Sequence, residues 1–223
     1  MDAVNKSYGR TRAAVRRWPD DRDTRNALES YLDGLPVDAM AEITVSTVLA
    51  AAGLDFTGAD LSALDLNSAD LADAILRNVP MTEADLYESW LSGADLSGAD
   101  LSGSDLRKVE ARGCRGVRAR FCGADLQKSD FGGSDLRGAD FGDTQLRKVL
   151  FTESDLTEAD FSGCTFDGLS LAKSRMWGCV LIGASGIVTG PVNVGKESPE
   201  LLDGRELESW FRGSGAISIT VAR

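Results

Sequence analysis

The sequence predicts an all-β solenoid that is built from a five-residue repeat and flanked by helical segments. Two observations lead to this prediction. A large apolar residue recurs every five residues over more than half of the chain, and a small residue lies two positions before it. A period of five fits neither the two-residue period of a strand nor the 3.6-residue period of a helix, so it belongs to a repeated supersecondary unit.

The repeat keeps one register without an insertion. We call the large apolar residue of each unit its centre. The centres run in steps of five from Phe56 to Leu181, and 24 of these 26 residues are Leu, Phe or Met; Ala111 and Gly116 are the exceptions. Asp stands directly before the centre in fourteen units. Alternation of a small and a large residue would fill a narrow interior without voids.

The units ADLSG at 94–98 and ADFSG at 159–163 resemble the repeat of the pentapeptide-repeat proteins, and the resemblance extends over residues 54–186. It implies a right-handed quadrilateral parallel β-helix, in which four units form one coil and each unit forms one face. The centre and the small residue two positions before it would point inward. Residues twenty positions apart would stack on one face, and the rod would be about 31 Å long at a strand spacing of about 4.8 Å.

The flanking sequences predict caps for the two open ends of the rod, where unpaired strand edges would invite aggregation. The segment DTRNALESYLDG has a candidate N-cap at Asp23 and a helix end at Gly34. The segment 198–215 is predicted to be a helix with Ser198 as its N-cap, because Pro199 suits the first helical position. The predicted regions are a helical N-terminal region (1–53), the β-helix (54–186) and a C-terminal cap of a helix and a short strand (187–223).

Composition argues against an enzyme. The chain of 223 residues contains no histidine, so it lacks the commonest general base and the commonest zinc ligand. The four cysteines show no metal-binding spacing. Cys114, Cys164 and Cys179 occupy the small inward position, whereas Cys122 would face solvent. We therefore predict no catalytic residue, no cofactor and no metal.

Charge and hydropathy restrict the partners. The formal net charge of −11 disfavours binding to nucleic acid or to an anionic membrane, and it favours a protein partner with a basic surface. The sequence has no apolar run long enough to span a membrane, and the basic N-terminus is not followed by the apolar core of a secretory signal. The expected location is the cytoplasm.

Stacking at intervals of twenty residues divides the surface into four faces. Face one is centred on Phe56, face two on Leu61, face three on Leu66 and face four on Leu71, each with the centres that follow every twenty residues. Two interpretations of the aspartates stay open: a plain solvent-facing residue of the repeat, or a carboxylate lattice that stands in for DNA phosphates and meets a basic groove. The predicted partner-binding residues, all on face two, are Asp60, Glu83, Asp100, Asp140, Asp143 and Asp160. A predicted basic column on face three contains Arg107, Lys108, Lys128, Arg147 and Lys148.

An arginine cluster departs from the repeat. Four arginines lie within residues 112–120, beside the two small centres, which predict a narrowed coil or a local void. We expect surface ion pairs, and a binding patch for an acidic partner is the alternative. The expected partners of the cluster are Asp95, Asp135 and Asp140.

Apolar residues at outward positions gather near the C-terminal end of the repeat. They are a candidate dimer interface together with residues of the cap. Packing of the cap onto the last coil explains them equally well, since single exposed apolar residues are ordinary. The residues are Trp177, Val180, Ile182, Trp210 and Phe211.

Two functions of different class remain. Pentapeptide-repeat proteins of the quinolone-resistance type, and immunity proteins of some antibiotic producers, resemble duplex DNA in shape and charge. The resemblance therefore implies a non-enzymatic, protein-binding rod that mimics DNA, binds DNA gyrase or topoisomerase IV and gives antibiotic resistance. A homodimer through the C-terminal region fits this function. The alternative is a scaffold or adaptor that presents a flat face of the β-helix to another protein.

Overall fold

The central part of the chain winds into a parallel β-helix. The computed structural model describes residues 8–36 and 47–222, so 37–46, within the predicted helical N-terminal region, lies outside the described residues. The first bridge of the coil joins Ala50 to Asp70. Coil pairing therefore starts four residues before position 54, the predicted start of the repeat.

Short parallel bridges between residues twenty positions apart hold the coils together. The residue before each centre bridges its equivalent in the next coil, as in Asp85↔Asp105 and Asp105↔Asp125. The pair Asp60 and Pro80 lacks this bridge, because Pro80 has no N–H to donate. The bond from Leu61 N–H to the Pro80 carbonyl (2.8 Å) joins the two coils at that point.

Each unit ends in a turn whose last residue is left-handed. Every fifth residue from Gly58 to Gly183 has a positive φ and lies two positions after a centre, and Gly53 continues the series before the first centre. Only about half of these residues are Gly. Residues with a side chain, such as Arg118 and Lys128, also adopt this backbone conformation, which costs about 1–2 kcal/mol for a residue with a Cβ. Twenty residues therefore contain four turns.

The interior follows the predicted register. All 26 centres are buried, and the residues two positions before them are buried except Leu54 and Cys179 at the two ends. Hydroxyl groups at the small position bond to main-chain carbonyls, so they carry no unsatisfied donor into the core. Ser154 Oγ, for example, donates to the Phe131 carbonyl (2.7 Å).

The interior changes from aliphatic to aromatic along the rod. On face two, Phe121, Phe141 and Phe161 stack with ring centroids 4.9 and 5.0 Å apart and an interplanar angle of 5°. Phe131 and Phe151 of face four meet this stack edge-on, at 5.7 and 5.3 Å. Both geometries are favourable for aromatic rings.

At Gly116 the structure lacks the local void that was one of the two alternatives predicted from the small centres. A Cβ on Gly116 would lie 2.8 Å from Leu136 Cδ2, so the leucine one coil further along face one already occupies the space. Phe121, in the same coil as Ala111 and Gly116, supplies a large ring from face two. The prediction of a void at Gly116 is therefore wrong.

The N-terminal segment covers the first edge of the coil. Four N–H groups of the first coil point away from the second coil, and each has an acceptor. An edge of unpaired donors, which would invite aggregation, is thereby closed. The donors and acceptors are Asp55 N–H to Thr24 Oγ1 (3.1 Å), Asp60 N–H to the Arg17 carbonyl (2.8 Å), Asp65 N–H to the Gly9 carbonyl (3.0 Å) and Asp70 N–H to the Leu49 carbonyl (2.8 Å).

Helix α1 spans Arg22–Gly34 and follows a short 3₁₀ turn at Arg12–Ala14. Its N-cap is Asp21 and not Asp23, because an N-cap side chain bonds the N–H of the third helical residue. The Asp21 carboxylate accepts the N–H (2.8 Å) and the hydroxyl (2.7 Å) of Thr24. The helix ends at Gly34, as predicted.

Toward the C-terminal end the bridges lengthen into strands. Four strands form a parallel sheet on face three in the order β1-β2-β3-β6, and β4 pairs antiparallel with β5. A second helix lies between β5 and β6. The elements are β1 (Gln145–Arg147), β2 (Thr165–Ser170), β3 (Ser185–Thr189), β4 (Val192–Asn193), β5 (Leu201–Leu202), α2 (Gly204–Gly213) and β6 (Ser218–Ala222).

Coil pairing continues past residue 186, the predicted end of the repeat, as far as Asn193, which bridges Arg175. Helix α2 begins later than predicted, because the residues after Ser198 form β5 instead. Its N-cap is Asp203, whose carboxylate accepts the Gly204 N–H (2.7 Å). Strand β6 then adds a last strand to face three.

The last edge of the sheet is partly covered by α2. Leu207 and Phe211 of this helix are buried. Glu208 accepts the N–H of Val221 in β6 (3.1 Å), a donor that points away from β3. A side-chain acceptor on an edge strand limits its pairing with other chains.

Candidate functional site

The aspartate before the centre has a structural task in every unit that contains it. In all fourteen units, one carboxylate oxygen accepts the backbone N–H of the residue two positions later; Asp100 accepts from Ser102 (3.0 Å) and Asp160 from Ser162 (2.8 Å). This bond forms an Asx turn at the corner of the coil. The frequency of Asp therefore follows from turn formation, and the second oxygen remains available to a partner.

Face two brings the six predicted carboxylates to one side of the rod. Four of them stand before a centre and form Asx turns, whereas Glu83 and Asp143 are exposed and occupy left-handed turn positions. Asp140 and Asp160 bridge each other in neighbouring coils. The four turn-forming residues are Asp60, Asp100, Asp140 and Asp160.

Most of the negative charge on face two is unpaired. Among the described residues, five of its six carboxylates have no ion pair, and the sixth, Asp100, binds Arg120 (Oδ2 to Nη1, 3.0 Å). Arg120 is the one basic residue of the face. Face two thus has a net charge of −5, against 0, −1 and −3 on faces one, three and four. It is the face best suited to a basic partner.

The predicted basic column on face three is largely neutralised by neighbouring carboxylates. Arg147 binds Asp167 (3.1 Å), and Lys108 binds Glu88 (2.6 Å). Arg107 forms a bidentate pair with Asp105. Lys128 and Lys148 have no ion pair within 8–36 and 47–222. Three of the five basic residues of the column are therefore paired, and the free positive charge that remains is that of the two exposed lysines.

A ladder of four aspartates on face three was missed by the sequence analysis. Asp65, Asp85, Asp105 and Asp125 bridge one another in consecutive coils. Arg10 lies 3.3 Å from Asp65 and Arg107 binds Asp105, but Asp85 has no ion pair in the described structure. Their spacing of twenty residues is the signal that could have revealed this ladder.

Burial perturbs the titration of Asp85. Burial of the carboxyl, together with the neighbouring charges of Asp105 and Asp65, raises the pKa of Asp85 to about 6. Tyr8 lies close to it in the N-terminal segment, and burial followed by the charge of Asp85 raises the pKa of Tyr8 to about 12. Asp85 is therefore a partly buried carboxylate close to Tyr8, with no ion pair in the described residues.

The arginine cluster has other partners than predicted. Arg112 binds Asp130 (2.9 Å), and Arg120 binds Asp100. The predicted pairing with Asp95, Asp135 and Asp140 is wrong, because the first two bind other arginines and Asp140 has no ion pair in the described part of the chain. Those other arginines are Arg77 on Asp95 and Arg137 on Asp135.

Each of the three aromatic residues predicted near the C-terminal end has a packing partner within the protein. Phe211 is buried in the cap, and Trp210 packs edge-on against it with centroids 5.1 Å apart. Lys196 Nζ lies 5.0 Å from the centroid of the Trp177 ring, a cation–π contact. Phe211 is therefore closed to a second molecule, whereas Trp177 and Trp210 remain partly exposed.

The aliphatic residues of this region are exposed. Val180 is 39% and Ile182 68% exposed. Ile217, which was not predicted from the sequence, is 74% exposed, and its N–H bonds the Ala184 carbonyl (2.8 Å), two residues from Ile182. The sequence gives no signal for Ile217 because the return of the chain to this point depends on α2.

The thiols are placed for packing. Cys114 and Cys164 are buried, and burial raises the pKa of both thiols to about 11. In the described part of the chain, no group of three or more His, Cys, Asp or Glu side chains is placed to hold a metal ion. None of the helices in 8–36 and 47–222 is long and apolar enough to cross a membrane.

A shallow recess of about 320 Å³ lies at the edge between faces two and three. Its polar groups are carboxylates, amides and a guanidinium, which can form hydrogen bonds to a side chain of a partner. The polar lining includes Asp125, Gln127, Asp143, Gln145 and Arg147.

Comparison with known proteins supports the fold and the repeat. No curated protein matches the sequence. The solved structure of full-length QnrB1, a plasmid-mediated fluoroquinolone resistance protein, is 21% identical over 72% of this chain and 80% of that chain, with a TM-score of 0.53. A trypsin-treated QnrB1 variant is 23% identical over 76% and 78%, with a TM-score of 0.54. At this identity the likeness shows the fold alone.

The five-residue repeat is matched directly by a protein family. Eight copies of the family "Pentapeptide repeats" match residues 51–78, 81–115, 117–152 and 150–185, which is more than half of the chain. A right-handed β-helix is the fold that this family implies, in agreement with the parallel coil described above. The chain belongs to the pentapeptide-repeat family.

Proposed function

We propose that the protein is a non-enzymatic, four-sided rod that binds a protein partner through face two. The proposed partner is a type II topoisomerase, DNA gyrase or topoisomerase IV, whose DNA-binding groove accepts the rod in place of duplex DNA. The bound rod changes the action of fluoroquinolones, or of a self-produced antibiotic, and so gives resistance. The protein then shares the cytoplasm with the enzyme and binds neither nucleic acid nor membrane.

One observation carries this proposal: five carboxylates on face two have no ion pair in the described structure. A basic groove would pair with them, and complementary charge mainly increases the rate and specificity of association. The Asx turns fix the carboxylates that precede a centre, so little side-chain entropy is lost on binding. The fold shared with QnrB1, a fluoroquinolone resistance protein, supports the choice of partner.

Charge density limits how closely the rod can imitate DNA. Residues 54–186 contain 22 acidic and 13 basic residues, a net charge of −9. Over a length of about 31 Å this is one net charge per about 3.5 Å. Duplex DNA has one charge per about 1.7 Å. The imitation is therefore strongest where the charge is concentrated, on face two.

Asp→Asn substitutions test the charge without removing the turn, because an Asn side chain accepts the same N–H. The variant Asp140→Asn/Asp143→Asn/Asp160→Asn removes three unpaired charges from face two. We expect wild-type protein at micromolar concentration to alter gyrase supercoiling and fluoroquinolone-stabilised DNA cleavage. The variant should need at least tenfold more protein for the same effect.

Face one supplies a matched control. Asp55→Asn/Asp155→Asn/Glu158→Gln also removes three charges that have no ion pair, two before a centre and one at a left-handed turn position. This control should behave like wild type in both assays. Equal loss in the two variants would show that net charge, and not face two, determines binding. If wild-type protein changes neither gyrase nor topoisomerase IV activity, the topoisomerase proposal is wrong.

A scaffold or adaptor is the second candidate. Trp90 and Leu150 on face four favour it, because they are 47% and 40% exposed and would suit an apolar contact with another protein. A photo-crosslinking residue at position 90, with position 75 on face one as control, tests this function in cells. One protein captured only from position 90 would support a scaffold; equal capture from both positions would contradict it.

A homodimer through the C-terminal region is part of the first proposal, since it would double the length of the rod. Val180, Ile182 and Ile217 supply the exposed apolar surface for it. We expect a dimer in sedimentation equilibrium and a monomer for Ile182→Arg. A wild-type monomer at micromolar concentration would remove this part of the proposal and leave the role of face two untouched.

A further inference from the structure

One stretch of the rod has a denser positive charge than any other. Residues 111–124 contain four arginines and no acidic residue. The arginines lie around three sides of the rod, on face four, on face one, at the turn between faces one and two, and on face two. We call this set the arginine belt: Arg112, Arg115, Arg118 and Arg120. The same stretch has the two small centres, so its interior and its surface both depart from the repeat.

The belt keeps free positive charge beside face two. Arg112 and Arg120 bind Asp130 and Asp100. Arg115 acts on Asp135, whose pKa is lowered mainly by its bond to Arg137 and to a smaller extent by the charge of Arg115. Arg115 and Arg118 are exposed and have no ion pair with any residue in 8–36 and 47–222. Arg118 lies at the turn next to face two, so it is the belt residue with free charge for a partner on that face.

The belt divides the acidic residues of face two into two groups. The backbone of Arg120 forms β-bridges with Asp100 in the coil before it and with Asp140 in the coil after it. The charge along the face is therefore negative, then positive, then negative. The upper group is Asp60, Glu83 and Asp100, and the lower group is Asp140, Asp143 and Asp160. Glu83, in the middle coil of the upper group, and Asp140, in the first coil of the lower group, are three coils apart, which is about 14 Å along the rod.

We propose that the arginine belt sets the position of the partner along face two. The partner is a protein whose surface has two basic clusters separated by an acidic residue that faces Arg118. A uniformly basic groove would meet Arg118 with repulsion, which costs affinity, whereas an interrupted groove gains an ion pair in one register only. This inference rests on the protein-binding role proposed for face two, and it adds what such a partner must look like.

Two synthetic peptides test the pattern without a natural partner. Both are 20-residue helices, about 30 Å long, of the same composition, with lysines along one side. One has a pair of glutamates in the middle of that side, and the other has the pair at one end. In fluorescence anisotropy, wild-type protein should bind the centred peptide at least fivefold more tightly than the shifted one. Equal binding of the two peptides would overturn the proposal.

Charge reversal at Arg118 shows whether this residue causes the preference for the centred peptide. Arg118→Glu should abolish the preference for the centred peptide. Lys128→Glu is the matched control, because Lys128 is also exposed, also lacks an ion pair in the described residues and also occupies a left-handed turn position. It lies at the turn between faces three and four and should leave the preference unchanged. Retained preference in Arg118→Glu would overturn the proposal; melting temperatures confirm that both variants fold.

Purified DNA gyrase provides the second measurement. If the proposed function holds, Arg118→Glu should raise the Kd for gyrase at least tenfold, and Lys128→Glu should change it less than twofold. Tighter binding of Arg118→Glu would show a uniformly basic groove and overturn the inference while supporting the function. Absence of gyrase binding, with the peptide preference intact, would contradict the choice of gyrase and leave the role of the belt standing.

Discussion

The upper half of the rod, with centres from Phe56 to Leu106, and the lower half, with centres from Phe121 to Phe166, build the same coil from different side chains. The upper interior is mostly leucine, and the N-terminal segment covers part of its surface. The lower interior contains a stack of phenylalanines. Between the halves lies the coil with the two small centres.

The difference between the halves shows that the backbone, and not the core, sets the spacing of the coils. Parallel strands lie about 4.8 Å apart whatever side chains they carry. The stacked rings on face two are 4.9 and 5.0 Å apart because the coils hold them at that distance. The interior therefore accepts any set of side chains that fills the volume, leucine in one half and phenylalanine in the other.

Leu126→Arg, near the beginning of the lower half, should have the largest effect. Leu126 is fully buried, and a charge without a partner in this interior costs far more than the stability of most domains can offset. We expect no soluble folded protein and no sheet signal in circular dichroism. A folded Leu126→Arg protein would contradict the register that places the centres of both halves in the interior.

Truncation of one centre in each half compares the two interiors. Phe141→Ala should cost about 3–5 kcal/mol from the cavity, and loss of its stacking partners on both sides adds about 0.5–1.5 kcal/mol for each pair. Leu101→Ala, two coils earlier on the same face, should cost about 2–5 kcal/mol. Urea denaturation measures both. A larger loss for Leu101→Ala would show that the aromatic stack adds nothing to stability.

Titration should distinguish the covered upper surface from the open lower one. The pKa of Asp85 is raised, so its folded form holds the proton more tightly and stability falls as pH rises from about 4 to about 6. Asp85→Asn should therefore stabilise the protein at pH 7 by about 1–2 kcal/mol and have no effect near pH 4.

The lower half supplies the opposite case. The bond from Arg137 lowers the pKa of Asp135, so this group stabilises the fold at neutral pH and the contribution is lost as pH falls through its folded pKa. Asp135→Asn should lower the melting temperature at pH 7 and change it less in acid. Equal pH dependence of the two variants would mean that the N-terminal segment does not bury Asp85.

The smallest effect is expected where the two halves are alike. Asp70→Ala and Asp155→Ala each remove an Asx turn at an aspartate without an ion pair in the described residues, which should cost about 0.5–1.5 kcal/mol in either half. The corresponding Asn variants should stay close to wild type in thermal melts. A cost in the Asn variants as large as that of Ala would assign the effect to charge instead of the turn.

Part of this architecture is visible in the sequence. The period of five and its register identify the buried centres, because every unit repeats the same information. The extension of the coil to Asn193 is not visible, since a register shift between Asp167 and Leu169 against β3 breaks the period. The burial of Asp85 depends on residues 8–10 crossing face three, a contact far apart in the chain.

Prediction of the candidate site from sequence was limited by the freedom of long side chains. The column positions of the carboxylates on face two follow from the repeat. Which arginine binds which carboxylate does not, because several lie within reach of each guanidinium and side-chain conformation decides among them. Arg112 binding Asp130, and not one of the predicted partners, is an example.

The Asx turn also has an evolutionary consequence. Asparagine forms the same turn as aspartate, and a single base change converts an aspartate codon into an asparagine codon. A turn position whose aspartate is exposed and has no ion pair can therefore lose one negative charge by a single step that changes stability little. Selection for a new partner can therefore change the charge of one face with little effect on the stability of the fold.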